Sequence, residues 1–310
     1  MRTFHNSCST SKLLPDPSAT HIAFKNLLLF SDDEGDCVVL LLDVQLFYDQ
    51  VTQQQGKRDI PADSLLEQIL YFIGAYRLLN NNNRLAVFAL HHEECQPLYI
   101  HGGDESSYAS NSNPYRNVKE GIESILRAEV SKIDAGSEPQ EPCTALACGL
   151  SRALCLINRI TTSSSLSRAC SKPRIVCITG SPDVPLQYIP VMNAIFSAQR
   201  AEVVVEALVL HTKDSAFLQQ AAHLTGGLYI RPPDRCAALQ HLVHCLSADT
   251  ETRKMLVVHQ PLGVDFRASC FCHKRTIDIG FVCSVCLSIF CEKVSTCKIC
   301  GTDFHTSEKV

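Results

Sequence analysis

Seven cysteines fall between Cys270 and Cys300, and they constrain the fold more than any other feature of the chain. The segment 267–310 is too short to close a hydrophobic core of its own, so a bound metal is expected to hold it together. Cys283-Ser284-Val285-Cys286 and Cys297-Lys298-Ile299-Cys300 are two C-x-x-C knuckles ten residues apart. A two-residue spacer lets a tight turn aim both sulfurs at one ion, and two such turns complete a tetrahedral zinc site. Cys283, Cys286, Cys297 and Cys300 are therefore the leading zinc ligands. Four thiolates leave no position for water, so this site is expected to be structural, not catalytic. Cys270, Cys272, His273 and Cys291 have the number and order for another site, cross-braced with the first. The spacing of Cys270-Phe271-Cys272 is irregular for a knuckle, and Cys291 has no cysteine two or three positions on. Spacing leaves that second site open. His305 reads as a surface histidine.

The other ten of the 17 cysteines are scattered, often in apolar runs, as free thiols in a reducing compartment would be. An odd total, and the lack of an apolar signal segment in Met1–Pro17, argue against a secreted disulfide scaffold. With 45% hydrophobic and 19% charged residues the chain can build a core. No run approaches eighteen apolar residues, so no membrane span is expected. A net charge of -4 does not suit a DNA-coating protein.

Upstream of the cysteines, apolar runs of strand length alternate with amphipathic stretches. Cys37–Asp43, Leu85–Leu90, Arg174–Ile178, Val203–Leu210 and Leu228–Ile230 read as strands, with Pro97–Ile100 as a short edge strand. Helical spacing covers Leu65–Tyr76, Val118–Ile133, Thr144–Ile160, Leu186–Gln199, Phe217–Leu224 and Arg235–Leu246. The alternation predicts an α/β fold, a mostly parallel sheet between helices, followed by a small C-terminal zinc-binding module. The expected divisions are a flexible extension at 1–34, the α/β domain at 35–247, a connector at 248–266 and the zinc module at 267–310.

Asp43 ends the first strand, where open sheets place ligands, and Thr144 and Asp183 lie near other strand ends. A hard cation wants several converging oxygens. Gln45 and Phe47 offer little such chemistry, and a loop- or helix-capping role for Asp43 is the simpler reading. The pairs Gly102-Gly103 and Gly226-Gly227 lack the pattern of a phosphate loop. Cys177 with His91-His92 could suggest a thiol and its base, but nothing in the sequence orients them, and Cys177 reads as a core residue. Tyr188, Phe217 and Tyr229 read as core or interface aromatics.

The run Phe266–His273 followed by Ile279–Cys291, with Val191–Gln199, Leu218–Ala221 and Thr225–Tyr229, resembles the small von Willebrand A-like subunits of the general transcription and DNA repair factor TFIIH. The resemblance implies a von Willebrand A-like, Rossmann-like domain with a C4, RING-like zinc module. It implies a nuclear, non-enzymatic subunit of the TFIIH core, acting in RNA polymerase II initiation and nucleotide excision repair. The implied partners are the larger von Willebrand A-like/RING-like subunit, which regulates the XPD-type helicase, and the other core subunits. DNA contact would come at most through the complex. Integrin-like members of the wider fold bind magnesium through a D-x-S-x-S loop, a threonine and a further aspartate. Asp43 and Thr144 match, whereas Gln45, Phe47 and Gly180 do not, so metal adhesion does not carry over. The alternative reading is a RING-like ubiquitin ligase. Direct nucleic-acid binding is a third, weakened by a local charge of only +1 over residues 264–310.

Overall fold

The computed structural model describes residues 35–48, 62–92, 94–101, 113–134, 144–162, 172–211, 213–232, 237–248, 253, 268–273 and 276–304. The expected extension at 1–34, nearly all of the connector at 248–266, Gly102-Gly103 and His305 lie outside them.

Strands β1 (Cys37–Asp43), β2 (Arg84–His91), β3 (Glu94–Ile100), β4 (Arg174–Thr179), β5 (Val204–Val209) and β6 (Tyr229–Ile230) form one sheet in the order β3-β2-β1-β4-β5-β6. Every pairing is parallel except that of β3 with β2. All seven residues of β1 are buried, because both faces of the sheet are covered. Val38, Leu40 and Leu42 point into one core, Val39 and Leu41 into the other. The period of two along a strand thus divides one apolar run between two layers.

Helix α1 is the single turn Gln45–Tyr48, and α2 spans Ala62–Leu79. Helix α3 spans Pro114–Asp134. Leu65, Ile69, Phe72, Ile73, Val118 and Ile122 fill the first core, with Leu242 and Leu246 from the C-terminal segment. Helices α4 (Leu146–Thr162), α5 (Tyr188–Arg200) and α6 (Ala216–Thr225) cover the opposite face. Among the described residues no helix is long and apolar enough to cross a membrane.

Several boundaries differ from the sequence expectation. Helix α3 starts at Pro114, four residues early, because Asn113 accepts from the Tyr115 N–H (3.1 Å) and proline suits a first helical position. Strand β3 extends back to Glu94, and its Pro97 sits at a register shift on the sheet edge, where a missing donor is tolerated. The final helix is broken into α7 (Ala238–His241) and a π-helical turn over Leu242–Leu246. Helix α1 was not expected at all.

Below the sheet's amino edge lies a buried ionic group. The Arg174 side chain is inaccessible and pairs with Asp36 and with Glu206 (3.4 Å), the latter equally buried. Arg174 Nη1 also donates to the carbonyls of Leu246 and Ala248, both at 2.9 Å. Arg253 forms a two-pronged pair with Glu206. Burial works against the Arg174 charge, but the two carboxylates outweigh it and raise its pKa.

Candidate metal centre

At the carboxyl edge of the sheet, Asp43 is fully buried. Its Oδ2 accepts from the N–H groups of Gly180 and Ser181, each at 2.9 Å, and its Oδ1 from the Gln45 N–H at 3.0 Å. Helix α1 drives Leu46 against Gly180, where a Cβ would meet Leu46 Cδ2 at 2.4 Å. Leu46 therefore closes over this strand end with apolar carbon, while Phe47 is buried in the first core. Asp183 accepts from the Ser215 hydroxyl (2.5 Å) and the Phe217 N–H (3.1 Å), which commits it to the start of α6. The Thr144 carbonyl accepts from Gln187 (2.7 Å). A cavity lined by Thr144, Thr179, Ser181, Asp183 and Ser215 encloses about 10 Å³, room for about one water. Cys177 is inside the core, its thiol pushed up to about 12, first by burial and then by Glu206.

Burial also raises the Asp43 carboxyl from 3.8 to about 6, against the lowering effect of its N–H donors. The native state then holds an extra proton between these values. Stability from this group is present below about pH 4 and is lost as pH rises through about 6. Asp43→Asn cannot ionise and escapes that loss. Between pH 4.5 and 7.5 the natural chain should lose about 2 kcal/mol relative to Asp43→Asn, read from urea unfolding at both pH values. A difference that stays constant with pH would show that Asp43 titrates normally.

The cysteines form two groups. Cys283, Cys286, Cys297 and Cys300 have their sulfurs within 4.8 Å of one another, and so do the ligand atoms of Cys270, Cys272, His273 and Cys291. Strands β7 (Ala268–Ser269) and β8 (Thr276–Ile277) pair near the second group, and β9 (Phe281–Val282) and β10 (Ile289–Phe290) near the first. The groups alternate along the chain, so each closes a loop that contains part of the other. His273 Nδ1 lies 3.1 Å from Cys291 Sγ, and Cys272 Sγ lies 3.4 Å from it. The irregular spacing at Cys270 thus delivers three neighbouring side chains to one place.

The two knuckles of the first group are built alike. Leu287 and Gly301, one residue past each, have positive φ angles of 59° and 71°. Their N–H groups donate to the carbonyls of Cys283 (3.0 Å) and Cys297 (2.9 Å). Ser288 and Thr302 then bring hydroxyls to 3.0 Å from the sulfurs of Cys286 and Cys300. The Ser288 hydroxyl and N–H lower the Cys286 thiol to about 6, and Thr302 lowers Cys300. Burial pushes Cys297 up to about 11. The sequence reading missed Ser288 and Thr302; a Ser/Thr two residues after each knuckle was the signal. A tetrahedron of Zn–S bonds of about 2.3 Å has edges of about 3.8 Å. Cys283–Cys300 and Cys286–Cys297 stand at 3.7 and 3.6 Å, so this all-sulfur set fits zinc.

Phe271, between two cysteines of the second group, meets Tyr188 of α5 edge-on, with ring centroids 6.0 Å apart and planes at 78°. Tyr188 in turn lies 5.8 Å from Phe217 of α6. These three rings join the cysteine segment to the α/β domain.

The family model of transcription factor Tfb4 matches residues 36–301. The general transcription and DNA repair factor IIH subunit TFB4 of Arabidopsis thaliana is 38% identical over 291 residues, covering 90% of this chain and 92% of that protein. The corresponding tfb4 subunit of Schizosaccharomyces pombe is 34% identical over 279 residues, covering 88% and 91%. The crystal structure of the TFIIH p34 N-terminal domain superposes with a TM-score of 0.52 at 24% identity, over 69% of this chain and 99% of that one. That likeness shows the α/β fold.

Proposed function

The chain belongs to the Tfb4 transcription-factor family, and from that premise we propose that it is a non-catalytic, nuclear subunit of a TFIIH-type core complex. In this reading it acts in RNA polymerase II initiation and nucleotide excision repair. It does so by binding and stabilising the larger von Willebrand A-like/RING-like subunit that regulates the XPD-type helicase, alongside the other core subunits. DNA contact comes only through the assembly. The α/β domain occupies 35–247, the connector 248–266 and the zinc module 267–310.

Cys283, Cys286, Cys297 and Cys300 would hold one zinc ion, and Cys270, Cys272, His273 and Cys291 a second. When bound, the ions supply folding energy and no open position for reaction. The chain's own residues do the rest. Ser288 and Thr302 orient and polarise two sulfurs, and Phe271 sets the module against Tyr188.

The observation that carries the reading is this docking of a cross-braced cysteine segment onto the α/β domain. It offers two linked surfaces, a two-part clamp whose joint affinity exceeds that of either part. Reconstitution of the core complex with the intact chain, with residues 35–247 and with Cys283→Ala tests it. Complex yield and repair should fall in the latter two, with no intrinsic turnover lost. Normal yield and repair from all three would sink the clamp. Ubiquitin discharge from a conjugating enzyme by the intact chain would favour the RING-ligase reading instead.

A further inference from the structure

We propose that His91, His92 and Glu129 form a third, non-cysteine metal site, for a divalent ion of the zinc class, at the β3 edge of the sheet. His91 ends β2, and His92 follows it in the turn to β3, while Glu129 comes from α3. One ligand atom from each of the three lies within 4.8 Å of the others. The two imidazoles stand edge to face, with centroids 4.4 Å apart and planes at 83°.

The shorter separation matches the spacing a shared ion would impose, and the longer exceeds it by about 0.4 Å. His91 Nε2 is 3.4 Å from Glu129 Oε1, and His92 Nε2 is 3.9 Å from Glu129 Oε2. Both exceed the 2.7–3.2 Å range of a good N–H···O bond. Zinc with nitrogen and oxygen ligands at about 2.0–2.2 Å needs ligand-to-ligand edges of about 3.3–3.5 Å if tetrahedral. The three side chains are 13–20% exposed, sheltered yet reachable by an ion. Two imidazoles and one carboxylate suit zinc, and leave at least one position for water. The ion would tie the β2–β3 turn to α3, bracing a strand that, among the described residues, lies at the edge of the sheet.

The site is separate from the cysteine groups, and cobalt tells them apart. Thiolate-bound cobalt gives intense sulfur-to-metal charge-transfer absorption, whereas a His₂Glu site gives only weak visible d–d bands. The full-length chain, carrying its cysteine-bound zinc, is titrated with Co²⁺ and separately with Zn²⁺. The expected result is one further equivalent per chain, with d–d bands, no new charge-transfer band and a higher melting temperature. His92→Ala and Glu129→Gln should each weaken that binding more than about 100-fold, beyond the loss typical of an outer-shell partner. Zinc on the cysteines should stay unchanged in both, and a cooperative urea transition like that of the natural chain checks that the α/β domain folds. No extra equivalent in the natural chain overturns the proposal, as an ion pair only. So does an extra equivalent that survives both substitutions or carries thiolate absorption. If either variant fails to fold, the stoichiometry and cobalt spectrum of the natural chain decide it.

Discussion

Replacing Arg174 with methionine should cost the folded chain about 3–5 kcal/mol, a large part of the stability of an ordinary domain. The loss comes less from the absent guanidinium than from what it leaves behind. Asp36 keeps a buried carboxylate without its charged partner, and among the described residues Glu206 keeps Arg253. The carbonyls of Leu246 and Ala248 lose a donor as well. Urea unfolding of the intact chain measures the effect. Replacing Asp36 by Asn together with Arg174→Met should recover part of it, because the stranded charge is then gone. A loss below about 1 kcal/mol for Arg174→Met would mean that water reaches this group.

The other large effect concerns the cysteines. Cys297→Ala should lower bound zinc by about two equivalents per chain, not one, because the two groups alternate along the segment. Cys291 lies between Cys286 and Cys297, so releasing the second knuckle frees a residue of the other group. Among the described residues, only Cys283, Phe290 and Cys297 are fully buried in the local apolar cluster, which is far too little to fold without metal. Metal analysis after dialysis reads the outcome, with Cys177→Ala as a control that keeps its zinc. Loss of a single equivalent would show that the sites fold independently. Unchanged content would remove the four cysteines as ligands.

The sheet was legible because most of its strands are largely apolar runs, as in Cys37–Asp43 and Leu85–Leu90, and burial on both faces is what such runs require. The knuckles were legible because two-residue spacers have a direct geometric meaning. Their hydroxyl partners were not, although Ser288 and Thr302 hold equivalent places in the sequence. Arg174 and Glu206 were read only as parts of strands. A charge inside an apolar run such as Val203–Leu210 is itself a sign that a counter-charge waits in the core. The Phe271–Tyr188 contact had no sequence signal, since rings far apart in the chain carry no periodicity. The cross-braced order could be written from sequence, but proximity of Cys270, Cys272 and His273 to Cys291 needed the fold.

Arg253 is pinned to Glu206 on the floor of the sheet, so the chain leading to the cysteine module is anchored there as well as at the end of the last helix. Fifteen peptide links separate Arg253 from Ala268, a reach of about 50 Å at full stretch. An aromatic contact such as Phe271 on Tyr188 is worth only about 0.5–1.5 kcal/mol beyond its buried area. The covalent link keeps the module within that radius of the sheet, so its local concentration there is high. For a partner that already grips the sheet, the second contact is a unimolecular step within that radius, not another encounter from solution.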